Sequence, residues 1–488
     1  MKAVVIGSGI AGIASAIRLR SKGYEVIVLE ANSQPGGKIS ELQLAGYRFD
    51  MGPSLFTLPE LIDELFLLFP EHKTAFTYTR LKIICNYFWE DGKKVQAHSE
   101  PQEFANNIEK EFKTDKKEIL DYLKESKNIY ELTTPTFMEK SLHKTSTWLS
   151  ADIIKPILSL AKLHLFNTLS EVNKNRFSDT HIQQLFNRYA TYNGSSPFLT
   201  PGIMQVIPHL EFNLGAFFPK KGMNDIVNSL VKLAEEVGVE FRYNKKVKNI
   251  IVFNQSAKGV ELENEVIKSD IVISNSDVHN TQKFLLKKEH FRKQSEEIDR
   301  SSSAFIFYWG IKGDFKELDM HNILFSKNYQ EEFKSIFEDE KLSSDPTVYI
   351  HISSKIIKND APSNCENWFV MINTPPHNGQ DWEKEKSRIK ELVINKIEKV
   401  LGKTIKDKIE VEECLSPKDI EKNTGSYRGA LYGTSSNSKF AAFLRHPNFS
   451  SKVKNLYHCG GSVHPGGGIP LCLHSAKIAC SLIPNSNG

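Results

Sequence analysis

The chain opens with Lys2-Ala3-Val4-Val5-Ile6, an apolar run with no polar alternation. Such a run predicts a strand covered on both faces, as in a parallel sheet. Gly7-Ser8-Gly9-Ile10-Ala11-Gly12 follows, then apolar residues at helical spacing (Ile13, Ala16, Ile17) up to Gly23. A second apolar run, Glu25 to Leu29, is closed by Glu30. Further on, Leu58, Leu61, Ile62, Leu65 and Leu68 predict a helix over 55–68, and alternation over 80–98 predicts strands joined by a hairpin at Asp91-Gly92. Residues 101–190 read as helical, lysine-rich and nearly free of glycine. After Phe218 the order is a turn, a helix over Asn224–Val237, strands at Val239–Tyr243 and Lys246–Val252, and a strand within Ser269–Asp277. Residues 290–415 mix strands (Ala304–Trp309, Trp368–Ile372) with a charged helix over Glu383–Val400, whose lysine and glutamate run reads as a solvated face. A last short strand at Leu456 enters a glycine-dense segment, and a helix opens at Pro470, a favourable first-turn position.

This pattern predicts an α/β protein: a Rossmann-type dinucleotide-binding domain made discontinuously from 1–80, 218–285 and 420–488. An α+β substrate-binding lobe, 81–217 and 286–419, is inserted into it. The opening turn has a specific chemistry. Gly7 permits the tight turn, Gly9 lets the backbone approach a pyrophosphate, and Gly12 lets helix and strand pack closely. The helix beginning at Ile10 and Ala11 offers free N–H groups and the positive end of its dipole to the phosphates. Glu30 is placed to accept hydrogen bonds from ribose hydroxyls, and its charge would repel a 2′-phosphate.

Composition narrows the partners. With 488 residues the chain can bury two sizeable lobes. A net charge of +4 gives no reason to expect nucleic acid. The six cysteines are scattered without CxxC pairs, which fits reduced thiols and a cytoplasmic protein. Arg18, Arg20 and Lys22 interrupt the first apolar stretch, so it is not read as a signal peptide, and no run is long enough to span a membrane. One stretch, Ile153 to Phe166, is unusually apolar. It reads either as a buried helix of the inserted lobe or as a partly exposed helix that dips into a lipid interface. His458, Cys459, His464, Cys472 and His474 match no common zinc spacing, so no metal is expected.

Two further motifs carry a resemblance. Glu30-Ala31-Asn32-Ser33-Gln34-Pro35-Gly36-Gly37-Lys38 and Phe49-Asp50-Met51-Gly52-Pro53-Ser54 resemble the flavin-dependent amine oxidase and phytoene desaturase superfamily. The resemblance implies FAD, held without a covalent link. Gly36, Gly37 and Lys38 would run along its pyrophosphate and ribose, and Gly52, Pro53, Ser54 and Leu55 would also contact it. By the same likeness the Val247 backbone meets the adenine and Asn275 ends a strand near the flavin. Leu431, in the segment Gly425–Gly433, and Gly460, Gly461, Gly468 and Ile469 would lie against the ring. The helix starting there would stabilise the reduced flavin with its N-terminal dipole.

His464-Pro465-Gly466-Gly467-Gly468-Ile469-Pro470 resembles carotenoid desaturases more than amine oxidases. Asp50–Thr57 resembles the flavobacterial subgroup that includes 1-hydroxycarotenoid 3,4-desaturases. The implied reaction is C=C bond formation in an apolar carotenoid, by hydride transfer to flavin N5 and proton loss. The implied setting is the surface of the inner membrane, with peripheral attachment. The single dinucleotide fingerprint directs the electrons toward oxygen or a quinone. A phytoene desaturase, a flavin amine oxidase and a non-enzymatic prenyl-binding protein of the same fold stand as alternatives. No side chain is assigned a catalytic role by the sequence.

Overall fold

In a computed structural model, every residue is described except 73–75, 150–152, 155–157, 160–162, 291–298, 439–444 and 487–488. The strand Lys2–Ile6 lies at the centre of a five-stranded parallel sheet. On one side it pairs with Glu25–Leu29, which pairs with Val239–Arg242; on the other it pairs with Ile271–Ser274, which pairs with Leu456–His458. Strands from the beginning, middle and end of the chain thus meet in one sheet.

Alternate residues explain the unbroken apolar runs. Ala3, Val5, Val26 and Val28 face a core shared with the helices Ile10–Ser21, Asn224–Glu236 and Ile469–Ser481. Val4, Ile6, Ile27 and Leu29 face the opposite side, packed with Ile250, Ala257 and Val260 of a three-stranded antiparallel sheet. Both faces are dry, so neither register could carry polar residues.

A second, seven-stranded sheet is assembled from Ile83–Phe88, Lys94–His98, Ser303–Lys312, His321–Leu324, Val348–Ile352, Cys365–Thr374 and Ile409–Leu415. It is antiparallel except where Ile83–Phe88 runs parallel to His321–Leu324. Along Ser303–Lys312, Phe305, Phe307 and Trp309 pack under the helix Trp382–Leu401 through its Ile389, Val393 and Ile397. Ala304, Ile306 and Tyr308 point the other way, onto Tyr47 and Phe49 of the hairpin Ser40–Met51. That hairpin packs on the seven-stranded sheet, and its Asp50 accepts from the Asn224 amide (3.1 Å) at the start of a helix of the first core. Helices Pro101–Phe112, Lys116–Thr133, Leu169–Arg176 and Thr180–Asn187 join the first core through Phe104, Tyr122, Phe177 and Phe186.

Two local expectations are corrected, and a third is only partly covered by the described residues. The helix predicted over 55–68 spans Glu60–Leu67, because the Phe56 carbonyl accepts from the Phe217 amide (2.7 Å) and holds the preceding residues extended. The strand predicted from Lys246 begins at Asn249. Val247 lies in the loop before it, because the Lys245 amide turns aside to the Glu30 carbonyl (2.8 Å). The apolar helix expected near 151–170 falls in part outside the described residues, and the described ones do not form one continuous helix. Within it Ile153 and Leu163 are buried, while Leu158 and Phe166 are 82% and 81% exposed. Among the described residues, no helix is long and apolar enough to cross a membrane.

Candidate functional site

The predicted glycine turn is built as a close-contact joint. A methyl group on Gly12 would stand 2.1 Å from the Gly7 carbonyl oxygen, so helix and strand pack at a distance only glycine permits. Ile10 and Ala11 are buried in that joint. No side chain caps the helix at Gly9, so its first N–H groups keep no partner of that kind. Gly36 then folds back over the turn, its amide donating to the Ser8 carbonyl (2.9 Å). A Cβ on Gly37 would meet Gly9 at 3.5 Å. The Glu30 carboxylate, nearly buried, accepts from the Ser8 amide (2.8 Å), the Ser8 hydroxyl (2.7 Å) and the Asn32 amide (2.9 Å). Ala31 beside it is exposed, and Val247 packs against the sheet below.

Asn275 joins this turn to the end of the chain. Its amide nitrogen donates to the Cys459 carbonyl (3.2 Å), and its backbone N–H donates to the Ile6 carbonyl (2.8 Å). A Cβ on Gly9 would lie 2.7 Å from Asn275 Oδ1, and one on Gly460 would lie 2.6 Å from Asn275 Nδ2. Glycine at two positions 451 residues apart leaves room for the one asparagine between them, and at Gly460 the backbone φ of +107° also favours glycine. Asn275 therefore acts here as a spacer between the two glycine segments.

The second wall is made by packed backbone. Gly461 approaches Gly467, a Cβ on Gly467 would meet Tyr432 at 2.8 Å, and one on Gly433 would meet Ser462 at 2.7 Å. Gly468 differs: its φ is +101°, and a Cβ there would point into open space. It precedes Ile469 at the start of the helix Ile469–Ser481, which again has no capping side chain. Gly52 closes the ring by lying against the Lys38 backbone, where a Cβ would come 2.2 Å from the Lys38 carbonyl oxygen. Gly7, Gly9, Gly37, Gly52, Pro53, Ser54, Leu55, Leu431, Gly461 and Gly468 all keep partial solvent contact amid buried neighbours. These partly exposed positions are the candidate lining of a cofactor cleft.

Two cations stand in this lining without a counter-ion. Lys38 donates to the carbonyls of Leu431 (2.6 Å) and Ala430 (3.1 Å), and dense packing around it lowers its ammonium to about 8. Arg445, buried, donates to the Tyr432 carbonyl (3.2 Å) and Ser436 Oγ (3.1 Å), and burial lowers it to about 10. Both act on the Cys472 thiol from the first turn of the last helix. Neither has a carboxylate within ion-pair distance among the described residues. Two uncapped helix ends, two enclosed cations and an open face at Gly468 fit a flat dinucleotide with anionic phosphates.

Sequence reasoning misses Arg445, which stands in a loop with no motif around it. It also misses Tyr349, whose hydroxyl lies 2.6 Å from Ser54 Oγ. Of the histidines and cysteines of the C-terminal segment, His464 Nε2 contacts the Lys140 carbonyl (2.9 Å), and His458 sits edge-on to His446 (5.1 Å).

Comparison with known proteins agrees with this geometry. The profile of the family described as flavin containing amine oxidoreductase matches residues 10–484. A 1-hydroxycarotenoid 3,4-desaturase of a Flavobacterium species is 54% identical over 100% of this chain and 99% of its own length. A 4,4′-diaponeurosporene oxygenase of Staphylococcus aureus is 30% identical over 97% of this chain and 96% of its own. The structure of cyclohexylamine oxidase from Brevibacterium oxydans superposes with a TM-score of 0.62 at 13% identity, covering 99% of this chain and 98% of that one. At that identity it speaks for the fold alone. The chain belongs to the flavin containing amine oxidoreductase family as an FAD-dependent oxidoreductase.

Proposed function

We propose that this protein desaturates the 3,4 bond of a 1-hydroxylated carotenoid. The observation that carries the reading is the end-to-end 54% identity to the Flavobacterium enzyme, supported by the close-packed glycine segments that would border the cofactor. FAD, when bound, supplies the acceptor for the two electrons and one hydrogen that leave one carbon, while the neighbouring carbon loses a proton. In a conjugated chain the developing charge spreads over the polyene, so orientation carries much of the rate and no strong acid–base pair is required.

The chain's own residues hold and orient. Gly7, Gly9, Gly12 and the helix from Ile10 would take the pyrophosphate, and Glu30 the ribose. Gly36, Gly37, Lys38 and Gly52–Leu55 would flank the dinucleotide. Asn275, Leu431, Gly460, Gly461, Gly468 and Ile469 would border the ring, with Arg445 adding positive charge behind Cys472. Residues 1–80, 218–285 and 420–488 are the FAD-binding domain in this reading, and 81–217 with 286–419 the substrate lobe.

The setting we infer is the cytoplasmic face of the inner membrane, reached peripherally. Trp148, Leu149, Ile154, Leu158 and Phe166 are large apolar side chains left exposed close together in sequence. Each gains about 1.5–3 kcal/mol on full removal from water. A substrate that dissolves only in lipid would be met there, and oxygen or a membrane quinone would take the electrons onward.

The test gives the purified protein FAD and liposomes carrying 1′-hydroxy-γ-carotene or phytoene. A red shift confined to the hydroxylated pigment is expected. Colour arising from phytoene would make the protein an early desaturase, and no change in either pigment would overturn the desaturase reading.

A further inference from the structure

On the substrate-lobe sheet, His321 and His351 are paired in register on the strands His321–Leu324 and Val348–Ile352. Their rings stack with centroids 4.9 Å apart, and they are 3% and 2% exposed. The Tyr349 hydroxyl lies 2.7 Å from His321 Nδ1 and 2.6 Å from Ser54 Oγ, so one side of His321 is fixed. Its other nitrogen, Nε2, has no hydrogen-bond partner, and the ring of His351 has only a loose contact with the Met320 carbonyl. The nearby Met320 carbonyl already accepts from the Ile352 amide (2.8 Å). Leaving such groups buried and unpaired costs about 1–3 kcal/mol each, so a cluster of them points to a ligand.

Its location identifies what that ligand meets. Ser54 ends the segment whose Gly52 rests on Lys38, and Lys38 holds the Leu431 carbonyl. Through Ser54 and Tyr349 the histidines are therefore tied to the lining of the cofactor cleft. Burial keeps both imidazoles neutral, His351 down to about 4 and His321 well below its usual value. A neutral imidazole presents one N–H and one lone pair, the complement of an alcohol rather than of an ion. Among the described residues no group of three or more His, Cys, Asp or Glu stands ready to hold a metal.

We propose that His321, positioned by Tyr349 and backed by His351, recognises the hydroxyl of the carotenoid end that is desaturated. This rests on the reading of the reaction given above. In a 1-hydroxylated end the oxygen is only a few bonds from the carbons that lose hydrogen, so its binding group has to stand beside the cofactor cleft. A site built to bond a hydroxyl rejects the analogue that lacks it, because its own polar atoms are then left unpaired.

The experiment measures kcat/KM of the FAD-loaded protein for a 1-hydroxylated carotenoid and for the same carotenoid without the hydroxyl. Wild type, His321→Phe, His321→Gln and Tyr349→Phe are compared, with FAD content and thermal midpoint recorded for each. His321→Phe is expected to lose about 10- to 100-fold on the hydroxylated substrate and little on the other, with His321→Gln restoring part of the preference. Direct binding of the two carotenoids to wild type, read by absorption shift, is expected to favour the hydroxylated one about tenfold or more, which tests the site without any variant. Equal losses on both substrates, undiminished activity of His321→Phe, or equal binding by wild type would overturn the hydroxyl site alone. A wild type that leaves the hydroxylated carotenoid unchanged would overturn the reaction itself and this site with it.

Discussion

The Lys38 ammonium donates to the Leu431 carbonyl at 2.6 Å, across 393 residues of sequence, and so ties the N-terminal glycine loop to the C-terminal wall of the cleft. No carboxylate pairs with it among the described residues, and burial has lowered its folded-state value from 10.5 to about 8. The charged form therefore weakens the apo fold below pH 8, and that cost fades as the pH rises from 8 toward 10.5. An anionic cofactor reverses the preference, because it favours the charged lysine. FAD affinity is expected to be highest below pH 8 and to weaken above it by up to about tenfold per pH unit. Lys38→Met should bind FAD about 10- to 100-fold more weakly at pH 7 and lose that pH dependence. Flavin fluorescence titrations across pH 6.5–9.5 would check both; a wild-type affinity flat through that range would exclude Lys38 from the anion site.

Two glycine substitutions should separate folding from cofactor binding. Gly12→Ala drives a methyl to 2.1 Å from the Gly7 oxygen, which neither backbone can yield without breaking the helix–strand joint. Loss of soluble, folded protein is expected. Gly468→Ala meets nothing within 4 Å, so only its positive φ is penalised, by about 1–3 kcal/mol. That variant should fold yet carry much less flavin, read as the ratio of absorbance at 450 nm to that at 280 nm. Full flavin occupancy in Gly468→Ala would mean the open face at Gly468 is not a cofactor surface.

The parts of the site legible in the sequence are those in which one short segment does the whole job. Gly7 to Glu30 form strand, turn, helix and acid in sequence order, and the turn appears as read. Val247 reads as part of a strand because its neighbours are apolar, whereas pairing starts at Asn249 once the Lys245 amide has bonded Glu30. The Asn275 wedge leaves no sequence signal, since the atom that crowds Gly460 is 185 residues away. Tyr349, His321 and Ser54 meet across 295 residues of sequence, where the segment after the Ser40–Met51 hairpin reaches the seven-stranded sheet. Contacts of that kind leave no periodicity in the chain.

The buried ion pair beneath the helical lobe should be costly to break and inexpensive to replace. Arg188 donates to Glu211 (2.9 Å) and to the Tyr87 hydroxyl (2.8 Å), and Glu211 also accepts from Tyr189 (2.6 Å) and Tyr192. The guanidinium lies over the Tyr189 ring at 4.2 Å. Glu211→Ala leaves that charge unpaired in a dry site and should lower stability by about 3–5 kcal/mol. The double variant Arg188→Met/Glu211→Leu should recover most of the loss. Urea midpoints of the FAD-loaded proteins decide it: equal midpoints for Glu211→Ala and wild type would show that water reaches the pair.

Membrane attachment should depend on a few exposed side chains. Leu149, Leu158 and Phe166 are 86%, 82% and 81% exposed, apolar surface of the kind that marks a contact with lipid. A net charge of only +4 makes electrostatic attachment to anionic lipid a minor contributor. Binding to vesicles should therefore persist when salt is raised to about 0.5 M, where surface charges are strongly screened. Leu158→Glu combined with Phe166→Glu should move most of the protein from the floated vesicle fraction to the soluble one. FAD content should not change, because neither residue belongs to the cleft. Conversion of substrate dissolved in detergent should also persist, while conversion of substrate held in liposomes falls with binding. Unchanged flotation of the double variant would place the contact with lipid elsewhere on the surface.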